Sequence, residues 1–506
     1  MNIKRAKEEI EKSVRSYLQK DERGDYVMPS VRQRPILLIG PPGIGKTAIM
    51  EQIARDCNVS LVSYTITHHT RQSAVGLPYI DEIHFNKEPY SVTKYTLSEI
   101  IASIYDKINH TGISEGILFI DEINCVSETL APTMLQFLQC KKFGNYAIPE
   151  GWVIVAAGNP PEYNKSVRDF DIVTLDRVKR INVTADYDVW KEYAYKNGIH
   201  SAIMSYLELK HENFYDVRTT VDGKIFVTAR GWEDLSEMIK SYEKLGYKVD
   251  SEFVEEYLQY PEIAVDFANY YDLYNKYRDD YHIDEILAGK AENTVSEKLK
   301  PAPFDERYSV IAHILGGLSD AFCESDFWNK YVENIFGMLK ETMRIYEKNN
   351  VIIRTAANEV TDNRREELRR KLSSSLIAGN DLKAVKGAIK YIDDVAIKYG
   401  TGERIADVSE AFAEIREDFN QVRAEREQVL DRTAMMLGNA FDFIIRTFGE
   451  NQELVMFVTE LSINCYAVEF INEEGSDKYT YYAARLLADD RQREIMDDIK
   501  SVRTVE

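Results

Sequence analysis

Gly40-Pro41-Pro42-Gly43-Ile44-Gly45-Lys46-Thr47 has the spacing G-x-x-x-x-G-K-[ST] of a phosphate-binding loop. The apolar run Pro35-Ile36-Leu37-Leu38-Ile39 leads into it, and the helix-like run Ala48-Ile49-Met50-Glu51-Gln52-Ile53-Ala54 leads out. Strand, loop and helix in that order form the context the motif requires. Glycines let backbone N–H groups turn inward onto phosphate oxygens, and a helix N-terminus adds partial positive charge. Lys46 is then expected to reach the β- and γ-phosphates, and Thr47 to hold Mg²⁺ by its hydroxyl. A Gly/Pro turn before an ordinary helix has the same local composition but does not call for an acidic pair further along the chain.

Outward from the loop, residues 36 to about 184 alternate β-rich runs with helical ones. The runs are Ile36–Ile39, Leu61–Thr67, Ile117–Ile120, Trp152–Ala157 and Arg180–Val183. Near-continuous apolar strands separated by helices imply an α/β fold, a parallel sheet with helices on both faces. Ligands of such sheets bind beyond the carboxyl ends of the strands, where the loop falls. Two inserts interrupt the alternation. Tyr79–Tyr95 alternates apolar and polar residues around Asn86-Lys87-Glu88, which suggests a hairpin, and Thr96 and Glu99 are spaced as a capping box for the next helix. Phe143–Pro149 turns at Gly144-Asn145, a second short hairpin. Such hairpins either contact a partner or are surface turns without a role.

Ile117-Leu118-Phe119-Ile120-Asp121-Glu122 sets two acids at the end of a buried strand. Asp121 is expected to hold the Mg²⁺ water shell and Glu122 to polarise an attacking water as general base. Trp152-Val153-Ile154-Val155-Ala156-Ala157-Gly158-Asn159 is another buried strand, ending in an amide. Asn159 could orient the water or the γ-phosphate without adding charge, or could be a turn residue before Pro160-Pro161.

The flanks are helical. Residues 1–22 read as an amphipathic helix with Ile3, Ile10, Val14 and Leu18 on one side, and Pro29 and Pro35 end it. Residues 186–247 are mostly helical, with a hairpin at Tyr215–Val227 turning at Asp222-Gly223 and a helix from near Gly231-Trp232-Glu233-Asp234. From about 251 to 506 only helices are expected. Leu382, Val385, Ile389, Ile392 and Ala396 recur at steps of three and four, as do Ile405, Val408, Phe412, Ile415, Phe419 and Val422, with Gly400-Thr401-Gly402 between them. This predicts an αα-hairpin with facing seams, either a projecting arm or two core helices of a bundle. Arg426 breaks the second seam, and the charged stretch 357–372 suits a solvated helix face.

Bulk composition narrows the function. The chain has 506 residues, 44% hydrophobic and 29% charged, which fits a soluble globular protein of one to four domains. A net charge of −21 opposes binding along a nucleic-acid backbone. Cys57, Cys125, Cys140, Cys323 and Cys465 form no C-x-x-C, which suits a reduced cytoplasmic protein without a zinc site. No apolar run approaches the roughly 18 residues of a membrane span, and no signal-peptide core is present.

GPPGIGKT, ILFIDE, AAGNP, Leu175-Asp176-Arg177 and Thr228-Ala229-Arg230-Gly231-Trp232, in this order, resemble an AAA+ ATPase. The two inserted hairpins and the run GILFIDEIN resemble the MoxR branch in particular. The resemblance covers about residues 30–250, and nothing after 250 resembles a family. It implies a P-loop α/β domain at 31–185 behind an N-terminal helix at 1–30, a small helical lid at 186–250, and an all-helical C-terminal domain at 251–506 with the αα-hairpin near 381–437. Gly40, Pro41, Pro42, Gly43, Ile44, Gly45, Lys46 and Thr47 then match Walker A, Asp121 and Glu122 match Walker B, and Asn159 matches sensor 1. Arg177 matches the arginine finger that reaches a neighbouring subunit's γ-phosphate, with Arg180 a nearby second candidate. Arg230 matches sensor 2. Tyr79–Tyr95 sits where MoxR proteins carry their helix-2 insert and Phe143–Pro149 where they carry the pre-sensor-1 hairpin.

The resemblance implies an Mg²⁺-dependent ATPase that assembles into a homo-oligomeric ring, expected to be a hexamer, and remodels or activates a protein client, with a von Willebrand A domain protein as the usual partner. Two other functions compete: a nucleic-acid-associated NTPase motor, which the charge opposes, and a non-catalytic nucleotide switch, for which a general base at Glu122 would be superfluous.

Overall fold

The computed structural model of the protein describes residues 1–486 except 69–71, 73, 75, 86–87, 144–145, 164–169, 171, 222, 401–404 and 406. The strands of its first part are β1 (Ile36–Ile39), β2 (Ser60–Thr65), β3 (Pro78–Phe85), β4 (Glu88–Tyr95), β5 (Gly116–Asp121), β6 (Lys142–Phe143), β7 (Tyr146–Ala147), β8 (Trp152–Gly158) and β9 (Lys179–Asn182). β2, β5, β8, β1 and β9 form one sheet in that spatial order, every pair parallel. The order reverses around β1, so the crevice beyond its carboxyl end is the binding position expected of an open α/β sheet.

Burial follows from the sequence of the strands. Ile117, Leu118, Phe119 and Ile120 of β5 are all buried although successive side chains point to opposite faces, so both faces are covered. Leu37, Val62, Leu118 and Ile154 share one core with Ile101 and Ile104 of the helix Glu99–Thr111 and with Met134 and Phe137 of the helix Ala131–Cys140. The helix Lys46–Cys57 packs on β2 and β5, and the helix Ile3–Tyr17 packs on Lys46–Cys57, burying Ala6, Ile10 and Val14. Asn2 caps that first helix by accepting from the Arg5 N–H at 3.0 Å.

The inserts are hairpins. β3 pairs antiparallel with β4, braced by Asp81 and Lys94 at 2.6 Å, and β6 pairs with β7. The turns expected at Asn86-Lys87 and Gly144-Asn145 lie outside the described residues, as do Asp222 and the Thr401-Gly402 pair. The capping box at Thr96 and Glu99 does not form. The helix begins at Glu99 with Ser98 at its N-cap, and the Thr96 hydroxyl accepts from the Leu77 N–H at 2.9 Å. Closing the base of the β3–β4 hairpin holds Thr96 away from the helix end.

The chain divides into two compact units, Met1–Val189 with Arg365–Ala378, and Trp190–Arg364 with Gly379–Glu506. The short segment 365–378 thus belongs with the sheet. Ser375 is left-handed (φ 57°), closing the helix Ile353–Ser373 with a Leu376 N–H to Lys371 carbonyl bond of 2.8 Å. Two cations meet the carbonyls of that helix end: Arg55 donates to Ser375 O at 3.2 Å, and Lys107 donates to Ser373 O. Cations are the favoured partners of a helix C-terminus.

Among its described residues the second unit is helical apart from connecting segments and the strands β10 (Asp216–Thr220) and β11 (Gly223–Val227), which pair antiparallel. Its longest element is the helix Phe304–Asn349, 46 residues, or about 69 Å at the α-helical rise. The helices Gly379–Tyr399 and Ala413–Phe448 both lie along it. Ile389, Ile392 and Ala396, and Ile415 and Phe419, are buried, but the two seams turn mainly to the long helix. The two helices bond each other where Lys398 and Tyr399 meet Asp418, at 2.6 and 2.5 Å. Phe322, Leu437, Phe441, Ile444, Phe457 and Phe470 lie at the centre of the core. Among the described residues no single helix is long and apolar enough to cross a membrane. The bent pair Gln452–Ile463 and Cys465–Glu474 passes on composition only and contributes buried residues to this core.

Candidate nucleotide site

Register brings the site together. Ile39 of β1 lies beside Gly158 of β8, so the first loop glycine, Gly40, leaves the sheet beside Asn159. The Gly40 N–H donates to Gly158 O at 3.3 Å. A Cβ on Gly40 would lie 2.8 Å from the Val183 carbonyl oxygen, so only glycine fits there. Gly43 and Gly45 have φ of 74° and 87°, the left-handed region that glycine enters without strain. Gly45 is the N-cap of the helix Lys46–Cys57, whose first N–H groups border the loop.

Lys46 is buried. Its ammonium donates to Gly40 O at 2.8 Å, Pro41 O at 2.7 Å and Asn159 Oδ1 at 2.9 Å. The cation is therefore folded over the loop and held by neutral oxygens, bonds that anionic phosphate oxygens can replace. Thr47 Oγ1 donates to Asp121 Oδ2 at 3.2 Å, joining the start of the helix to the end of β5. A hydroxyl beside a single carboxylate is an all-oxygen donor set. It fits a small hard cation that takes its other ligands from water and substrate phosphates. No cluster of three or more His, Cys, Asp or Glu among the described residues offers an all-protein cage.

Glu122 follows in a left-handed conformation (φ 57°, ψ 34°), and its N–H donates to Asp121 Oδ1 at 2.9 Å. That conformation is costly for a residue with a Cβ, and such outliers concentrate at functional sites. The short 3₁₀ turn Ile123–Cys125 comes next. Burial, with Glu122 and Asp121 nearby, pushes the Cys125 thiol up, so it stays neutral beside the acids.

Arg177 and Arg180 bond outside this cluster, each to a neutral side chain. Arg177 is exposed and donates to Gln139 Oε1 at 2.6 Å; Arg180, exposed on β9, donates to Asn182 Oδ1 at 2.9 Å. Arg230 belongs to the other compact unit, where it is the exposed second residue of the helix Ala229–Leu245; Thr228 caps that helix by accepting from the Gly231 N–H at 3.3 Å. Lys46 with Asn159 and Thr47 with Asp121 are therefore linked by direct bonds, while Arg177 and Arg180 bond elsewhere in the same unit. The sequence reading had no role for Asn124, whose side chain donates to the Asn159 carbonyl at 2.7 Å.

Residues 36–174 match the ATPase family associated with various cellular activities (AAA). The match spans β1, the loop, both acids and Asn159, and ends before Arg177. It supports an ATPase of the AAA+ type, a nucleotide-binding P-loop domain extended by a long helical region. No curated protein matches the chain.

Proposed function

We propose that the protein is a ring-forming, Mg²⁺-dependent, MoxR-like ATPase whose hydrolysis of ATP remodels or activates a protein client. The observation that carries the reading is the bonded set Lys46–Asn159 and Thr47–Asp121 at the carboxyl ends of β1, β5 and β8. Phosphoryl transfer needs positioning and charge stabilisation more than covalent chemistry, and this set provides both. Lys46 exchanges carbonyl partners for the β- and γ-phosphates, while backbone N–H groups of the loop hold the remaining phosphate oxygens. Thr47 and Asp121 hold the Mg²⁺, which neutralises charge on the phosphates when bound. Glu122 accepts the proton of the attacking water, and Asn159 orients that water or the γ-phosphate.

The finger role, acting at an interface that a ring would create, falls to Arg177, with Arg180 the alternative, and sensor 2 falls to Arg230. The proposed layout is an N-terminal helix at 1–30, the nucleotide domain at 31–185, a lid at 186–250 and the helical domain from 251, with a hexamer as the working assembly in the cytoplasm. The hairpin β3–β4 exposes Tyr79, Ile80, Ile83 and Tyr90, which suits contact with a client or a von Willebrand A domain partner. A surplus of 21 negative charges opposes a nucleic-acid track.

The test is ATP hydrolysis per subunit across a range of protein concentrations, with Arg177→Ala and Arg180→Ala alongside. Specific activity that rises with concentration and collapses in one arginine variant supports a site shared between subunits. Flat activity, indifferent to both arginines, overturns the ring and leaves a self-contained switch.

A further inference from the structure

Asn124 lies two residues beyond Glu122, in the 3₁₀ turn, and is only 5% exposed. Its amide nitrogen donates to the Asn159 backbone carbonyl at 2.7 Å. Among the described residues its Oδ1 has no hydrogen-bond partner. The group cannot simply be turned over, because the carbonyl would then face the Asn159 carbonyl, acceptor against acceptor. Gly158 makes the arrangement possible: a Cβ there would lie 2.5 Å from Asn124 Oδ1. One side chain thus clasps the end of β8 to the turn behind Glu122, and the chain tolerates a buried unpaired acceptor to do so. Buried polar groups are paired in the great majority of cases, so an exception beside a left-handed Glu122 calls for an explanation.

Both ends of the clasp lead to reactive positions. On one side Asn159 Oδ1 accepts from Lys46, and on the other the turn sets the direction of Glu122. We propose that Asn124 is a positioning residue for hydrolysis, fixing the Glu122 turn against the Asn159 backbone so that base and water-orienting amide keep one separation. The inference rests on the roles proposed for Glu122 and Asn159. As a positioning residue Asn124 acts through Glu122 and Asn159. Its loss should therefore spare nucleotide binding and slow the chemical step, because a displacement of about 1 Å in a reacting group can cost on the order of 100-fold.

The experiment compares Asn124→Ala and Asn124→Asp with the full-length wild-type chain, alone and in a Glu122→Gln background. It measures ATP turnover, KM, equilibrium binding of a fluorescent ATP analogue, and thermal unfolding. Asn124→Asp keeps the volume but loses the N–H donor, so it tests the clasp even if the alanine variant folds poorly. We expect kcat to fall by roughly 10- to 100-fold in both variants, with the Kd of the analogue changed by less than about threefold. In the Glu122→Gln background the substitutions should add no further loss, which a merely structural role would not produce. Unchanged kcat, or losses that multiply in the double variants, would overturn the inference while leaving the ATPase reading intact. Normal turnover by Glu122→Gln alone would remove the base role on which this inference rests, and the inference with it, while ATP hydrolysis itself would stand.

Discussion

The Lys46 ammonium donates to Asn159 Oδ1 at 2.9 Å, tying the first residue of the loop helix to the residue that follows β8. The two are 113 positions apart and meet because β1 and β8 are adjacent and parallel. Their roles should separate on substitution. Lys46→Ala removes the only one of the two that carries charge to the phosphates, and nucleotide binding should be lost. Asn159→Ala should leave binding within a few-fold and lower kcat by on the order of 100-fold, the scale of a lost transition-state hydrogen-bond donor. Equilibrium binding and steady-state turnover measured on the same preparations check this. Equal loss of binding in both variants would contradict the division of labour.

Glu122→Gln keeps the size of the side chain and its backbone strain but cannot accept a proton. The variant should bind ATP as the wild type does, turn it over only at a small residual rate, and accumulate as the nucleotide-loaded, largest assembly. Size-exclusion chromatography with ATP, read together with retained nucleotide, tests this. Normal turnover would remove Glu122 as the base.

What was legible in the sequence was what is local. β1, the loop and the helix after it are contiguous, so spacing alone placed Lys46 and Thr47. The acids of β5 could be read because four buried apolar residues precede them. The first hairpin is legible in its period of two, and the two shorter ones in their Gly144-Asn145 and Asp222-Gly223 turn signals. Asn159 was ambiguous, since a turn asparagine before two prolines looks the same until register sets it beside Gly40. Asn124 had no signal of its own, because its partners are set by the packing of a turn against a neighbouring strand. Thr96 misled for the same reason: its spacing to Glu99 suits a cap, but the hairpin base claims its hydroxyl. In the helical half, heptad-like spacing located Ile389 and Ile415 on buried faces. It could not say that those faces turn to a third helix, Phe304–Asn349, rather than to each other.

Lys191 and Glu460, 6% and 7% exposed, form an ion pair inside the helical unit. Glu208 approaches Lys191 at 2.5 Å, and the Tyr195 hydroxyl donates to Glu460 at 2.5 Å. Burial pushes the Glu460 carboxyl up, while the two carboxylates hold the Lys191 ammonium above its ordinary range. Glu460→Leu leaves a buried cation with one carboxylate and should destabilise the unit by about 3 kcal/mol. The double variant Lys191→Met/Glu460→Leu should recover most of that loss, because it removes both desolvated charges. Chemical denaturation of the wild type and the two variants measures the effect. A double variant as unstable as the single one would mean that shape rather than charge governs the position.

His313, on the long helix, is 8% exposed and stacks on Tyr274 with ring centroids 3.6 Å apart. Its Nε2 lies 2.8 Å from the Tyr274 carbonyl, so that nitrogen carries the hydrogen of a neutral ring. Burial pulls its pKa down from 6.5 to about 4; Arg278 and His200 add to the depression, and the Tyr274 carbonyl and Glu243 oppose it. The folded value lies below the unfolded one, so between them the unfolded chain binds the extra proton and stability falls as pH falls. The contribution is complete above pH 6.5, declines as pH drops toward 4, and is fully lost below that. The shift corresponds to roughly 3 kcal/mol. His313→Gln keeps a donor for the Tyr274 carbonyl but does not titrate. Unfolding free energies measured from pH 7.5 to pH 4 should therefore fall more steeply for the wild type than for His313→Gln, the difference growing to about 3 kcal/mol at the acid end. Other titrating groups are common to both proteins and cancel in the difference. Parallel curves would show that His313 is already protonated in the folded unit, or that the unit opens before it titrates.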